Sequence, residues 1–573
     1  MDRTGVARVL DQMASLLELK GENTFRVRAF RTASRAVAGL PPDLDEAIAD
    51  GSLAGTRGVG PAILQIVTDL ARTNRSRVYE ELREQVPPGL VEMLAISGLG
   101  AARVRQIHDR LGVESLADLE AAARDGRLAT VPGFGPKSCE NVLKGLAHLR
   151  RHATYRLIHH ATREAEELRA ALGRLPGVSR AIVAGDVRRR MELVRDLVVV
   201  LVADVPPAEV LRRLGGLPGV DEFSGQDERR ATFRFAGGSL AQIVVTTPAN
   251  LGAVLVQATG SESHVARLAA HAAESGYAFH GAALWRGSEF VPTPDERALY
   301  QALGLPEVPP ELREGGAEPG LGAGLDEPLL TLGDLRGFVH CHTSFSDGSS
   351  SIEELALACL AAGYNYLGVT DHSRSAAYAG GLGVEDLERQ WTEVDEVNRR
   401  VTGIRVLKGI EVDILPDGSL DYGDDVLRRF DFVIASVHSH FSMSRAGMTA
   451  RLLRAMENPW PTIIGHPTGR LLLGREAYPV DLDAVFGAAA SRGIALEINA
   501  DPHRLDLDWR VLRLARAAGA LISIGADAHS VAGLENVTWG VGVARKAGLG
   551  PADILNARSL EDFLAFARAR RGT

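Results

Sequence analysis

Nine side chains between residues 333 and 573 could bind metal ions, and each belongs to a short polar cluster that follows an apolar run. Side chains two positions apart on a strand point to the same side, so the pairs His340 with His342 and Asp527 with His529 could each hold an ion at a strand end. Imidazole and carboxylate ligands suit Zn²⁺, Mn²⁺ or Fe²⁺ in a hydrolytic centre. Since one Zn²⁺ takes about four ligands, we expect two or three divalent ions. The nine residues are His340, His342, Asp347, His372, Glu411, His438, His466, Asp527 and His529.

The alternative for any one of these histidines is a hydrogen-bonded polar side chain that binds no metal. That interpretation requires the separate clusters to be unrelated, and their repetition in one region favours a shared metal centre instead. A purely structural role for the metals is a further alternative. The number of histidines opposes it, because structural sites rarely need several clustered metals with open positions.

The composition is that of a soluble multidomain protein. A chain of 573 residues is long enough for several domains, on a prior of roughly 100–200 residues each. Its hydrophobic fraction of 45% and charged fraction of 24% are ordinary for globular protein. No apolar run reaches the roughly 20 residues of a membrane span, and the mixed-charge amino terminus is unlike a signal peptide. We therefore expect a cytoplasmic protein without membrane contact.

Residues 1–150 are predicted to be helical, with three similar Gly-x-Gly turns that each open a helix. Such glycines let the backbone approach a ligand closely, and the following helix offers free N–H groups to a phosphate. The three copies resemble helix-hairpin-helix clamps for the DNA backbone, with plain helical hairpins as the alternative. They lie in RGVGPAILQIV (57–67), SGLGAARVRQI (97–107) and PGFGPKSCENVL (132–143), and their glycines are Gly58, Gly60, Gly98, Gly100, Gly133 and Gly135.

The net charge of −9 argues against indiscriminate binding of nucleic acid, but the charge is unevenly distributed. Residues 1–150 carry 20 basic and 19 acidic side chains. Within them, the segment 25–35 places four arginines beside aromatic residues, which suits contacts with DNA phosphates. A solvated charged helix face is the alternative interpretation. The arginines are Arg26, Arg28, Arg31 and Arg35.

The apolar pattern divides the remaining chain into α/β and helical regions. From residue 333 onward strands alternate with helices, as in a parallel barrel whose active site lies at the C-terminal strand ends. A stretch rich in glycine, proline and acidic residues (314–328) predicts the main interdomain linker. The predicted divisions are 1–84 and 85–150 (helical, with one and two hairpins), 151–245 (α/β), 246–318 (helical), 319–332 (linker) and 333–573 (barrel-like).

Several motifs of the C-terminal region resemble those of a known family. HCHTSFSDG, TDHS, GIEVDIL, ASVHSHF, GHPTGR and GADAH are similar to successive motifs of the PHP domain that bacterial X-family DNA polymerases (PolX) carry at their C-terminus. The resemblance assigns all nine candidate ligands to a trinuclear site, with Glu411 and Asp527 as shared carboxylates. It implies a multidomain α/β protein with N-terminal helix-hairpin-helix domains, a nucleotidyltransferase-like palm (151–245), a helical thumb (246–318) and a distorted (β/α)₇ PHP barrel (333–573).

The predicted palm departs from the family's pattern at the positions that bind metal. The family has an Asp-x-Asp pair and a third aspartate, whereas this chain has Val198 two residues after Asp196 and Gln242 at the third position. Two-metal phosphoryl transfer needs carboxylates that hold cations about 3.5–4 Å apart, and neither valine nor a neutral amide replaces one. Asp186 also stands where the family has a serine that contacts the triphosphate.

We therefore predict that Asp196 is a residual palm carboxylate, that Mg²⁺ or Mn²⁺ binding there is impaired, and that polymerisation is lost or very weak. Deoxyribose-phosphate lyase activity is also not expected, because residues 58–71 contain no nucleophilic lysine and Ile66 occupies the expected position. The nucleotide-binding positions that remain are Gly185, Arg188, Arg189, Thr259, Gly260 and Ser261.

These observations favour a metal-dependent phosphoesterase that acts on DNA ends, as a monomeric 3′–5′ exonuclease on gapped DNA or 3′ termini. Arg470 and Arg504 lie near ligand motifs and are candidates to clamp the substrate phosphate, with surface salt bridges as the alternative. Three other functions remain open. They are a DNA-binding scaffold with structural metals, a weak Mn²⁺-supported gap-filling polymerase, and a small-molecule phosphatase, which the hairpin domains disfavour.

Overall fold

The computed structural model describes residues 3–38, 44–55, 59–96, 98–152, 154–214, 220–225, 227–235, 240–315 and 327–571. The predicted hairpin residue Gly58 and residues 319–326 of the predicted linker lie outside these ranges. Within them, no helix has both the length and the apolar character that crossing a membrane requires.

The N-terminal region, up to residue 152, consists of helices around a hydrophobic core of its own. Leu10, Met13 and Val104 are completely buried in this core. The helices of this region are Arg3–Leu19, Thr24–Ala38, Leu44–Ala49, Ser52–Gly55, Pro61–Thr73, Arg77–Glu84, Pro88–Met93, Ala101–Leu111, Leu116–Arg124 and Pro136–His152.

The Gly-x-Gly turns of this region open helices as predicted wherever they are described. Gly60 and Gly100 are the residues that precede the helices Pro61–Thr73 and Ala101–Leu111. Gly98 has a φ angle of 87° and Gly133 one of 84°, and only glycine adopts this region without strain. The turns therefore depend on glycine for their shape.

Residues 154–246 form an α/β domain, called here the sheet domain, around a five-stranded mixed sheet of order β2-β4-β7-β6-β5. Strands β4 and β7 are parallel, and the other neighbours are antiparallel. Alternate residues of β4 enter different cores on the two faces of the sheet, Val199 on one and Val200 on the other. The elements are β1 Arg156–Leu157, helix Ile158–Leu172, β2 Val178–Ala184, helix Gly185–Arg188, β3 Leu193–Val194, β4 Asp196–Ala203, helix Pro207–Leu214, β5 Val220–Gly225, β6 Arg230–Phe235 and β7 Leu240–Thr246.

The next region, up to residue 315, packs three helices against a small antiparallel sheet of order β10-β9-β8. Its core includes the buried side chains of Leu268, Leu284 and Tyr300. The elements are helices Leu251–Thr259 and Glu262–Glu274, strands β8 Tyr277–His280, β9 Ala283–Arg286 and β10 Glu289–Val291, and helix Glu296–Ala302.

The C-terminal region contains eight parallel strands in the order β13-β12-β11-β18-β17-β16-β15-β14. Only Gly409 and Ile410 separate β13 from β14, so the two edges of this sheet are successive parts of one strand and the sheet closes as a seven-stranded barrel. This agrees with the expected distorted (β/α)₇ architecture. The strands are β11 Gly337–Cys341, β12 Tyr366–Val369, β13 Arg405–Lys408, β14 Glu411–Asp413, β15 Ile434–Ser436, β16 Ile463–Ile464, β17 Ala495–Asn499 and β18 Ile522–Ala528. The helices are Ile352–Ala361, Val384–Arg400, Asp424–Leu427, Arg445–Glu457, Leu482–Arg492, Trp509–Ala517, Val537–Lys546 and Leu560–Arg568.

The sheet domain and the barrel are joined by an extensive buried contact, called here the interdomain contact. A single hydrophobic cluster contains side chains of both domains. Glu192 of the sheet domain accepts hydrogen bonds from Arg510 (2.6 Å) and from the indole of Trp509 (3.3 Å). Lys546 of the barrel is completely buried, donates to the Arg189 backbone carbonyl of the sheet domain at 3.1 Å, and forms an ion pair with Glu314 of the region between the two domains. The two domains are therefore packed together through both apolar and charged groups.

Candidate metal centre

The nine predicted ligands all lie at the C-terminal ends of barrel strands or in the loops that follow. Parallel strands end on the same side of a barrel, so side chains at these positions converge. Strand β11 contains His340 and is followed by His342 and Asp347, β12 is followed by His372, and β14 begins with Glu411. Strands β15 and β16 are followed by His438 and His466, and β18 contains Asp527 and is followed by His529.

Three of the ligand positions have backbone conformations that non-glycine residues rarely adopt. The φ angles are 68° at His340, 26° at His466 and 51° at Asp527. At His340 the pairing of β11 with β18 also shifts register. The prediction that His340 and His342 point to the same side of a regular strand therefore does not describe this strand end. The bulge changes the direction of the backbone between them. The two rings nevertheless converge, with centroids 5.4 Å apart.

The ligand atoms form three overlapping groups: His342 belongs to two of them, and His372 belongs to two of them. In each group one atom per residue lies within 4.8 Å of all the others. The groups are His342, Asp347, His372 and His529; His340, His342 and Asp527; and His372, Glu411 and His438. His466 joins through its Nε2, which is 3.0 Å from Glu411 Oε1. The structure therefore brings all nine predicted residues into one cluster.

Two carboxylates lie at the centre of this cluster. Glu411 Oε1 is 3.3 Å from His438 Nε2, and its Oε2 is 3.0 Å from His372 Nδ1. Asp527 Oδ1 is 3.0 Å from His342 Nε2 and 3.5 Å from His340 Nε2. Glu411 Oε1 is also 3.4 Å from His340 Nε2, and Asp527 Oδ1 is 3.9 Å from His529 Nδ1, so each carboxylate faces imidazoles from more than one group.

Several buried polar atoms in the cluster have no hydrogen-bond partner among the described residues. They include His340 Nε2, His342 Nδ1 and Glu411 Oε2. A buried polar atom without a partner costs free energy, and natural proteins contain few of them. Because these atoms belong to good ligands for divalent cations and face one another, the donor set fits metal ions.

The ionisation of the cluster also suits cation binding. Burial alone would raise the pKa of Glu411, but the facing His438, His340 and His372 hold it well below its usual range. Burial alone would also raise the pKa of Asp527, but His340 and His342 hold this pKa well below its usual range. Both carboxylates therefore carry negative charge at neutral pH.

The histidines differ in their affinity for protons. Burial, with His372 and His529 nearby, lowers the pKa of His342 to about 4. For His438, burial acts in the lowering direction, but Glu411 and Asp413 raise the pKa to about 10. Burial alone would also lower the pKa of His529, but Asp347 and Asp527 raise this pKa to about 9. Since a histidine ligand must be neutral, metal ions compete with protons at His438 and His529.

Two further carboxylates orient candidate ligands by binding their ring or backbone nitrogens, and neither was predicted from the sequence. Glu497 Oε1 is 2.5 Å from His340 Nδ1, and its Oε2 accepts the His466 backbone N–H at 2.7 Å. Asp413 Oδ1 is 2.5 Å from His438 Nδ1. A carboxylate on one ring nitrogen fixes the tautomer and directs the other nitrogen toward a metal. A signal was present for Asp413, two positions after Glu411, and for Glu497, a charged residue inside an apolar strand.

The two arginines predicted to clamp a phosphate have different surroundings. Arg504 lies beside the ligands, with its Nε 3.7 Å from Asp527 Oδ2. Arg470 instead donates to Asp508 at 2.6 Å and to the backbone carbonyl of Arg504 at 2.9 Å, as well as to the carbonyl of Leu505. Because its guanidinium supports the loop that carries Arg504, the clamp role does not follow for Arg470.

The predicted palm site is a separate cleft of about 510 Å³ between the sheet domain and the helices that follow it, lined by Gly185, Asp186, Arg189, Asp196, Val198, Gln242 and residues 259–261. Val198 lies opposite Gln242 in the pairing of β4 with β7. Gln242 Nε2 donates to Asp196 Oδ2 at 3.2 Å. Val198 and Gln242 therefore lie close to Asp196, and neither side chain adds a charge. Among the described residues, no group suited to hold a metal is found in this cleft.

The arginines of this cleft are held by ion pairs. Arg188 binds Glu296 through two hydrogen bonds of 2.7 and 2.6 Å. Arg189 pairs with Asp186 at 2.5 Å and with Glu314 at 3.1 Å. Burial raises the pKa of Asp186. A nucleotide phosphate would have to displace these acidic partners.

The predicted DNA contacts are on the surface of the N-terminal region. Arg26, Arg28, Arg31 and Arg35 are exposed on the helix Thr24–Ala38, while Val27 and Phe30 on the same helix are buried. Arg31 pairs with Glu18 at 2.5 Å. The described hairpin glycines are exposed and have nothing within 4 Å of the position of a Cβ: Gly60, Gly98, Gly100, Gly133 and Gly135. The turns therefore leave room for another backbone to approach.

Comparison with families of known proteins assigns most of the chain. A helix-hairpin-helix domain matches residues 1–76, and a SAM-like helix-hairpin-helix tandem matches residues 90–147. The thumb of DNA polymerase beta matches residues 254–314, and the PHP domain matches residues 339–501. Helix-hairpin-helix and polymerase thumb domains imply that the chain binds DNA, and a PHP domain implies dependence on metal.

Individual relatives fall into two kinds. The DNA polymerase/3′-5′ exonuclease PolX of Bacillus subtilis is 36% identical over 570 residues, which is 99% of each chain. Probable phosphatases from Syntrophotalea carbinolica and Caldicellulosiruptor bescii are 29% and 31% identical over 243 and 242 residues. Each covers 40% of this chain and over nine-tenths of the relative itself.

Proposed function

Because the chain belongs to the PolX family of DNA polymerases with a C-terminal PHP domain, we propose that it is a metal-dependent 3′–5′ exonuclease that hydrolyses phosphodiesters at DNA ends. The observation that carries the proposal is the convergence of nine ligands at the barrel mouth, including two shared carboxylates and buried atoms without partners. Two or three ions of Zn²⁺, Mn²⁺ or Fe²⁺ fit this donor set. The relative from Bacillus subtilis bears the same activity in its name.

The chain's own residues supply binding, orientation and charge for this reaction. Divalent ions in such a centre provide an activated water and stabilise the negative charge that develops on a phosphodiester. Glu411 and Asp527 bring negative charge to the centre of the cluster, while Asp413 and Glu497 keep His438 and His340 in one tautomer. Arg504 is placed to donate to a phosphate oxygen of the bound DNA end.

We further propose that the palm site no longer polymerises DNA. Asp196 is the one carboxylate retained from the family's three metal-binding aspartates, and Gln242 donates to it. A cation pair bridging nucleophile and leaving group needs more negative charge than this. The alternative is weak Mn²⁺-supported gap filling, which Val198 and Gln242 disfavour.

A small-molecule phosphatase is the other candidate, because relatives named as probable phosphatases match the barrel. Those relatives cover only 40% of this chain, and the helix-hairpin-helix regions lie outside the match. The exposed glycine turns and arginines of the N-terminal region support DNA, as gapped duplex or 3′ ends, as the substrate. We propose that one copy of the chain is sufficient for activity.

One assay separates these functions. A 5′-labelled primer on a gapped template is incubated with Mn²⁺ and deoxynucleoside triphosphates, using the wild type and His342→Ala. Shortening that disappears in His342→Ala is the expected result. Elongation that survives in His342→Ala would overturn the proposal for the palm. A primer that stays unchanged with both proteins would favour a DNA-binding scaffold, and phosphate release from a small monoester in the same preparation would favour a phosphatase.

A further inference from the structure

Tyr378 is an aromatic side chain that the barrel exposes instead of burying. It is 73% exposed, whereas its neighbours Ala376 and Ala379 are 0% and 3% exposed. It belongs to the single 3₁₀ turn Ala377–Ala379, in the loop that follows the ligand His372. The two alanines anchor the turn in the protein, and the tyrosine between them projects into solvent.

Hydrogen bonds tie this loop to the metal centre. Ser375 Oγ donates to Asp413 Oδ2 at 2.6 Å, and the Ser375 backbone N–H donates to Asp421 Oδ2 at 2.7 Å. Asp413 is the same carboxylate that orients His438. The Gly381 N–H closes the turn on the Ala376 carbonyl at 3.1 Å. Tyr378 is therefore presented from a fixed backbone and not from a free loop.

The ring lies at the rim of the candidate centre. Its centroid is 6.2 Å from that of His372. A tyrosine phenol is neutral at physiological pH, and the carboxylates of Glu411, Asp413 and Asp347 are close enough to act on it electrostatically. Arg504 acts on the same phenol electrostatically. An aromatic face and a guanidinium thus border the same ligand cluster.

We propose that Tyr378 stacks on the base of the nucleotide whose phosphodiester lies at the metal centre, while Arg504 contacts the phosphate. This inference rests on the proposed exonuclease function and assigns a specificity-determining residue to it. Every base has a π-face, so stacking on an aromatic side chain favours nucleic acid ends without selecting a sequence. An exposed ring at a fixed place beside hydrolytic ligands has the geometry for this contact.

The test compares an ordinary single-stranded oligonucleotide with one whose 3′-terminal nucleotide is abasic, using wild type, Tyr378→Ala and Tyr378→Phe. Tyr378→Ala is expected to raise KM for the ordinary end roughly 5- to 150-fold, the range typical of losing one stacked base. The abasic end should show little difference between wild type and Tyr378→Ala, because it has no base to stack. Tyr378→Phe keeps the ring and should behave as the wild type.

Hydrolysis of bis(4-nitrophenyl) phosphate, a small diester without a base, separates this inference from the proposed function. Metal-dependent hydrolysis of this diester and of DNA by the wild type, with equal effects of Tyr378→Ala on ordinary and abasic ends, would overturn the stacking role and leave the exonuclease intact. Failure of the wild type to shorten DNA would instead contradict the function itself.

A matched control is Leu357→Ala, which removes a side chain that is 50% exposed on the helix Ile352–Ala361. It should change neither KM. Fluorescence of 2-aminopurine at the 3′ end, measured in the His342→Ala background, gives a second readout. Quenching on binding that Tyr378→Ala removes supports stacking, and quenching that persists contradicts it.

Discussion

The substitution Glu497→Gln tests whether the carboxylates behind the ligands control metal binding. Glu497 is almost completely buried and uses both oxygens, one toward His340 Nδ1 at 2.5 Å and one toward the His466 backbone N–H at 2.7 Å. Glutamine has the same shape but only one acceptor oxygen. Its NH₂ group must therefore face either the His340 ring N–H or the His466 backbone N–H. Since both of these groups are donors, one of the two hydrogen bonds is lost.

The expected cost is about 10- to 100-fold in metal affinity, or ~1.4–2.7 kcal/mol. The loss of one charge-assisted hydrogen bond and of the preferred His340 tautomer account for it. Titration against a chromogenic chelator measures the dissociation constants, and hydrolysis of bis(4-nitrophenyl) phosphate measures the effect on turnover. Affinities within twofold of the wild type would refute the reasoning.

Two further variants make the test specific. Glu561→Gln, at an exposed position on the last barrel helix, makes the same chemical change away from the ligands and should have no effect. Asp413→Asn changes the equivalent partner of His438 and should weaken metal binding as Glu497→Gln does. Circular dichroism of each variant establishes that it is folded before the affinities are compared.

Three other predictions address pH, the palm and the phosphate contact. The metal-free protein should lose stability as pH rises from about 6.5 to about 10. In the folded state His438 and His529 have pKa values of about 10 and about 9 and so keep protons that the unfolded chain releases above the ordinary histidine pKa of about 6.5. Melting temperatures measured across this pH range check the prediction, and a melting temperature that rises with pH would contradict it. Over the same interval metal affinity should increase, since fewer protons compete. Val198→Asp combined with Gln242→Asp should restore Mn²⁺-dependent primer elongation to an exonuclease-deficient background, and an inert double variant would show that the palm lacks more than these carboxylates. Arg504→Gln should lower kcat/KM on DNA about 10- to 150-fold, the equivalent of losing a charge-assisted contact of ~1.5–3 kcal/mol, with little change in bound metal measured by elemental analysis.

The convergence of the nine side chains could be predicted because it depends on topology. In a parallel barrel the C-terminal strand ends meet at one mouth, so a histidine or carboxylate after each apolar run must converge with the others.

What could not be predicted depends on local backbone and on contacts distant in sequence. The positive φ of His340 and the bulge beside it are set by the packing of β11 on β18, not by alternation. Glu497 reaches His340 across 157 positions of the chain, and Arg470 binds Asp508 across 38 positions. Sequence spacing carries no information about either contact.

Through the interdomain contact the sheet domain can stabilise the folded barrel, and this effect does not depend on catalysis in the sheet domain. The Lys546 amino group donates to the Glu314 carboxylate and, at 3.1 Å, to the Arg189 carbonyl, and it lies 4.7 Å from the centroid of the Trp509 ring. If the sheet domain unfolded first, Trp509 and Arg510 of the barrel would lose their partner Glu192, and Lys546 would lose its hydrogen bond to the Arg189 carbonyl. Loss of either domain is therefore costly to the other, and heating should melt the two in one cooperative transition. The sheet domain thereby stabilises the barrel independently of any metal bound in its own cleft.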